Sequence, residues 1–201
     1  MTPELVHFIE RPNLLSIDQC RCVIDASLPH LSRSTVTGNP RPVHAGRTSW
    51  ECTLQHEELA ALLAEGSVPC ERALQEIFNI PSDHRETWRV VRYQPGQEYT
   101  LHYDWFSNAW PDKLVNGGQR TISVIIYLCD VDEGGCTAFP RLSRSFNAER
   151  GKLLAWNNVD PNGQPLHCTI HSGVAPISGD KWILSTWYRQ NPIVDKALVP
   201  V

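Results

Sequence analysis

Six short runs rich in β-branched and aromatic residues crowd the chain after Thr87, and this texture limits its fold more than any other feature. The runs are TWRVVRY, EYTLHYDWF, RTISVIIYLCDV, GKLLAWN, HCTIHSGV and KWILSTWYR, separated by Gly, Pro, Asn and Asp. Such side chains suit a pleated, half-buried surface, and short strands at this spacing imply a sandwich or jelly roll. Helical periodicity is confined to the first eighty residues. It covers Ile17 to Leu28, begun by Ser16 as an N-cap, then Glu57 to Ala64, then Glu71 to Phe78, stopped before Pro81. These helices are expected to brace one face of a mainly β core. A chain of 201 residues has room for one substantial core. The expectation is therefore a single domain over 1–201, with helical support mostly in 1–85 and a jelly-roll core from about 86 to 190.

Charge and composition remove several classes of function. The formal net charge is -4 and no Lys/Arg-rich run occurs, so there is no electrostatic footprint for nucleic acid or an anionic membrane. The opening segment MTPELVHFIERPNLL is interrupted by His7, Glu10, Arg11 and two prolines, and no stretch approaches the ~20 apolar residues of a bilayer span. The seven cysteines are odd in number and form no paired C-x-x-C set; Cys20-x-Cys22 has no second pair to complete a zinc site. Reduced thiols and a cytoplasmic location follow as expectations. Two segments read as loops able to act as lids: Ser107 to Gln119, beside the EYTLHYDWF run, and Thr37 to Gly46.

The candidate site begins at His102-Tyr103-Asp104. Alternate residues of a strand share a face, so His102 and Asp104 can reach one metal ion while Tyr103 points away. A second histidine would complete a two-histidine, one-carboxylate facial triad, which leaves open positions on Fe(II) for a chelating cosubstrate and dioxygen. Both His167 and His171 lie on a later run with the right parity. Lys181 stands between Asp180 and Trp182-Ile183-Leu184. If its ammonium is buried on such an apolar strand it needs a partner, and a ligand carboxylate would supply one.

The surroundings of these residues form an ordered series. Arg92-Tyr93-Gln94-Pro95-Gly96-Gln97-Glu98-Tyr99 leads into His102; Gly117-Gly118-Gln119-Arg120, Tyr127-Leu128 and Gly134-Gly135-x-Thr137-x-Phe139-Pro140 follow, then His171 and, ten positions on, Lys181-Trp182. Taken together these motifs resemble the prolyl 4-hydroxylase family of Fe(II)/2-oxoglutarate dioxygenases over about residues 86 to 190, with Arg47-Thr48-Ser49 similar to an early strand of that family. The resemblance implies a double-stranded β-helix with His102, Asp104 and His171 as iron ligands. It selects His171 over His167 by its spacing to Lys181, which matches the residue that pairs with the distal carboxylate of 2-oxoglutarate. Tyr93 and Ser123 fall where that family places hydroxyls near the cosubstrate, and Tyr99, Arg120 and Trp187 where it faces a peptidyl substrate.

The function implied is hydroxylation of a prolyl residue in a peptide or protein, with 2-oxoglutarate and dioxygen consumed, succinate formed, and ascorbate as an accessory reductant. A free amino acid or other small metabolite is the alternative substrate, and a non-catalytic jelly-roll binding module the alternative class. Two departures touch the substrate side: Cys136 stands where many relatives carry Glu, and Pro176 falls one place later than the family's usual position.

Overall fold

The computed structural model describes residues 5–35, 46–63, 70–107 and 109–194. All eleven strands of the described residues belong to two antiparallel sheets, and three helices cover one outer face. In chain order the elements are β1 (Phe8–Arg11), α1 (Ile17–Ser27), β2 (Ser32–Arg33), β3 (Trp50–Leu54), α2 (His56–Leu63), α3 (Cys70–Phe78), β4 (Trp88–Tyr93) and β5 (Tyr99–His102). They continue with β6 (Arg120–Tyr127), β7 (Thr137–Phe139), β8 (Arg144–Phe146), β9 (Leu153–Asn157), β10 (His171–Gly173) and β11 (Lys181–Arg189). One sheet has the order β1-β9-β6-β11-β4-β3-β2 and the other β5-β10-β7-β8. This is the mainly β, jelly-roll architecture that the sequence implies.

The larger sheet is buried on both faces, and alternation along each strand assigns residues to two cores. Val90, Val124, Ile126, Leu153, Ala155 and Leu184 face the helices and pack with Val23, Leu59, Leu63 and Leu74. Val91, Tyr93, Tyr127, Leu154, Trp156 and Ile183 face the smaller sheet, against Phe139 and Phe146. On β11 the same parity turns Lys181, Ser185 and Trp187 toward the space between the sheets.

Helix α1 starts where the sequence places it. Ser16 accepts from the Gln19 backbone N–H at 3.2 Å while the Gln19 side chain accepts from the Ser16 N–H at 2.9 Å, a complete capping box. The other two helices also lie where periodicity predicts them, although Ala64 lies outside the described residues. The first eighty-five residues are more than a helical brace, however: they give β1, β2 and β3 to the larger sheet, β1 pairing with β9 and β3 with β4.

The loop from Ser107 to Gln119 differs from the mobile lid read in the sequence, because its distal half is tied down. The Gln119 side chain accepts from the Phe106 N–H and donates to the Phe106 carbonyl, at 2.7 and 2.9 Å. Arg189 donates to the carbonyls of Lys113 and Gly118. Gly117 and Gly118 have φ of +83° and +73°, and a Cβ at either would lie 3.0 Å from Arg189 or Asn191; close packing requires these glycines. Ser107 and Trp110 alone of its described residues before Arg120 border the site. The other predicted lid, Thr37 to Gly46, lies outside the described residues except for Gly46.

Candidate active site

Strand β5 ends at His102, and its register sets His102 directly opposite His171 at the start of β10. This cross-strand pair brings the two imidazole centroids to 4.2 Å. Asp104 lies past the end of the strand, so the alternation rule does not place it; a bend after His102 does. Its carboxylate turns inward, with Oδ1 3.7 Å from His102 Nε2 and Oδ2 3.6 Å from His171 Nε2. Among the described residues these three form a group able to hold a metal, their ligand atoms all within 4.8 Å of one another.

The hydrogen bonds of the two rings suit that role. His102 Nδ1 is 2.8 Å from the Thr100 carbonyl and His171 Nδ1 is 3.0 Å from the Thr169 carbonyl. A carbonyl only accepts, so each Nδ1 carries a proton, and Nε2 is the ring nitrogen turned to the cluster and available to a metal. Burial and the neighbouring His171 hold the pKa of His102 below the ordinary histidine range, which keeps it neutral. Burial pushes the Asp104 carboxyl up, but His171, His102 and Arg120 outweigh it, and the group is held below the usual carboxylate range. Two imidazoles and one carboxylate fit iron(II) and leave coordination positions for other ligands.

Packing fixes the rings as well. Phe139 stacks on His171 at 5.2 Å and Trp156 meets it edge-on at 4.8 Å. Tyr99 stacks on His102 at 3.5 Å and 13°, with the Arg47 guanidinium 4.9 Å from the Tyr99 ring. Tyr99, expected on the substrate side, thus also braces a candidate metal ligand.

Lys181 opens β11 opposite Tyr93 and is 1% exposed. Its ammonium donates to the Cys136 carbonyl at 3.3 Å and lies 5.2 Å from the Tyr93 ring; among the described residues no carboxylate pairs with it. Burial lowers its pKa to about 8. A buried cation satisfied by one neutral carbonyl fits the incoming carboxylate of an oxoacid. Tyr93 is buried beside it, and burial pushes its hydroxyl up to about 12, so it remains a donor.

All nine residues proposed from the sequence line one cavity of about 340 Å³. Their roles divide differently from the expectation. The Ser123 hydroxyl donates to Asp104 rather than facing Lys181. Thr137, next in the chain to the Cys136 whose carbonyl accepts from Lys181, also lines the cavity, its hydroxyl 2.7 Å from the Tyr127 hydroxyl. His167 sits on a 3₁₀ turn, His167–Thr169, and not on a strand. It is exposed, packing against Tyr103 and Trp105, outside the ligand group.

Arg120 is engaged by the protein itself. Its guanidinium donates two hydrogen bonds of 2.7 Å to Glu86 and stacks 3.9 Å from the Trp187 ring. Arg189 Nε adds an ion pair at 2.8 Å to the same carboxylate, poorly aligned for a hydrogen bond. Burial raises the Glu86 pKa, but Arg120 and Arg189 more than offset it. Truncating one partner of a buried pair leaves the other uncompensated, so Arg120→Ala is expected to cost about 3–5 kcal/mol of stability. Urea unfolding measures this. A variant with the parent's midpoint but no turnover would return Arg120 to substrate contact alone.

The residues missed in the sequence act through partners brought near by folding: Thr137 on Tyr127, Arg47 on Tyr99, Glu86 on Arg120 and Asn158 on Ser123. Thr137 had a signal in the Gly-Gly-x-Thr motif, and Arg47 in Arg-Thr-Ser; Glu86 and Asn158 had none.

Comparison with known proteins agrees with this geometry. A model of the 2OG-Fe(II) oxygenase superfamily matches residues 88–189. Probable prolyl 4-hydroxylase 3 of Arabidopsis thaliana is 31% identical over 199 residues, covering 87% of this chain and 66% of its own length. The chain therefore spans just under two thirds of that relative. The 2-oxoglutarate complex of viral collagen prolyl hydroxylase from Paramecium Bursaria Chlorella virus-1 is 25% identical, with TM-score 0.67 over 90% of this chain and 95% of the other. A Trichoplax adhaerens prolyl hydroxylase, solved with a hypoxia inducible factor peptide fragment, shares the fold at TM-score 0.61 and 15% identity, over 91% and 83% of the two chains.

Proposed function

Because this chain belongs to the 2OG-Fe(II) oxygenase superfamily, we propose that it hydroxylates prolyl residues in a peptide or protein while converting 2-oxoglutarate to succinate. One observation carries this reading: a His-Asp-His group and a buried lysine with no carboxylate partner among the described residues share a cavity lined in part by aromatic and cationic side chains. Similarity to plant prolyl 4-hydroxylases and to a viral collagen prolyl hydroxylase supports the prolyl substrate.

His102, Asp104 and His171 would hold the iron, and Lys181 would take the distal carboxylate of 2-oxoglutarate, with the Tyr93 and Thr137 hydroxyls beside it. Iron, 2-oxoglutarate and dioxygen together supply the oxidising power that amino-acid side chains lack. The chain's own part is to bind, orient and keep dry. The Nδ1 bonds and the rings of Tyr99 and Phe139 fix the ligand imidazoles, and Trp156 closes the floor. Trp187, with Arg120 stacked on it, and Trp110 at the mouth offer flat faces to a proline ring, which packs well on aromatics. A cytoplasmic site of action is part of the proposal, supported by free thiols at six described cysteines.

Mass spectrometry tests the substrate. With Fe(II), ascorbate and 2-oxoglutarate, proline-rich peptides are expected to gain one oxygen atom in step with succinate, and free proline to remain unchanged. Turnover of free amino acids with peptides untouched would assign the site to a small metabolite.

A further inference from the structure

Asp104 is held by a relay that the preceding roles leave unused. Ser123 Oγ donates to Asp104 Oδ2 at 2.5 Å, and Asn158 Nδ2 donates to Ser123 Oγ at 2.8 Å. The three residues are 7%, 1% and 0% exposed, so water does not compete for these bonds. They come from three places in the chain: the bend after β5, the middle of β6 and the residue following β9.

The direction of the relay is fixed by its ends. Ionised Asp104 only accepts, so the single Ser123 proton points to it, and the Ser123 lone pairs are left for a donor. With the Asn158 amide reversed, two acceptors would compete for that one proton. The Asn158 backbone is clamped on both sides, its N–H on the Thr121 carbonyl at 2.7 Å and its carbonyl accepting from Leu166 at 2.9 Å. Its Oδ1 is buried, with no hydrogen-bond partner among the described residues.

We propose that Ser123 and Asn158 are positioning residues that set the rotation of the Asp104 carboxylate and thereby the affinity and geometry of the metal site. The inference rests on the reading of His102, Asp104 and His171 as metal ligands. A carboxylate placed beyond the end of its strand has no ladder to orient it. The Ser123 proton commits Oδ2, leaving Oδ1 without a donor among the described residues and open to the metal. Partners of this kind beyond the ligands themselves typically change metal affinity 10–100-fold when removed.

Titration of the metal-free protein with Co(II), followed by calorimetry and by the visible ligand-field spectrum, separates positioning from general packing. Ser123→Ala is expected to bind Co(II) roughly ten- to a hundred-fold more weakly and with a shifted spectrum. Asn158→Leu should move both readouts the same way by less, and Ser123→Thr should restore them. Thr121→Val is the control: it removes a hydroxyl two positions earlier on the same strand, bonded to the Tyr188 carbonyl and not to Asp104. Parent-like affinity and spectrum in Asn158→Leu and Ser123→Ala overturn the proposal; Asn158→Leu alone decides if Ser123→Ala does not fold. Equal losses in Thr121→Val also overturn it, by assigning the effect to the strand. Asp104→Ala checks the underlying reading separately, since undiminished Co(II) binding there would remove Asp104 from the site altogether.

Discussion

Alanine at His102, Asp104 or His171 is expected to reduce succinate formation to background, whereas His167→Ala should keep most of it. The contrast follows from geometry. The first three residues place their ligand atoms within 4.8 Å of one another, while His167 is exposed on its own 3₁₀ turn. Loss of one ligand leaves two donors, too few to hold iron against water and buffer. Decarboxylation of 2-oxoglutarate with Fe(II) and ascorbate gives the readout, and iron content after gel filtration distinguishes lost metal from lost chemistry. Iron retained by His171→Ala and lost by His167→Ala would exchange their roles.

Lys181→Met should have the next largest effect, and its signs are opposite for binding and stability. A charge-assisted contact is worth ~1.5–3 kcal/mol, so the dissociation constant for 2-oxoglutarate should rise roughly ten- to a hundred-fold. The ligand-free variant should nevertheless unfold at a higher temperature than the parent, because it no longer buries an ammonium satisfied only by a carbonyl. The pH dependence is fixed by the same burial. The ammonium titrates at about 8 in the folded protein against an ordinary value of 10.5. Between these values the unfolded chain binds the extra proton, so ligand-free stability rises with pH across this window in the parent and not in the variant. Affinity for 2-oxoglutarate should fall as pH rises through about 8, since the carboxylate needs the charged form. Isothermal titration at several pH values measures it, and a pH-independent affinity would place Lys181 outside the cosubstrate site.

The sequence makes the long strands plain and the short ones obscure, for a physical reason. β4, β6, β9 and β11 are buried on both faces, so their runs are rich in aliphatic and aromatic residues on both parities. β1, β2, β7 and β8 have two to four residues each and exist because a neighbouring strand offers a ladder edge, which local sequence cannot reveal. Among the site residues, the ligands and Lys181 are legible through motif and spacing. Ser123 is legible as a buried hydroxyl but not in its partner, since the bend that brings Asp104 to it comes after the strand has ended. The engagement of Arg120 by Glu86 spans 34 residues and carries no local signature.

The double burial of β11 also decides which genetic changes this fold can absorb. Lys181, Ser185 and Trp187 face the cavity, while Trp182, Leu184 and Tyr188 face the helices. A substitution on either side perturbs one compartment. Insertion or deletion of a single residue after Lys181 instead exchanges the two lists, sending indole and isobutyl groups into the catalytic chamber and hydroxyls into the apolar layer. The strand can therefore vary one residue at a time, but its length is effectively frozen, and lineages carrying this architecture must gain or lose residues in the connections around it.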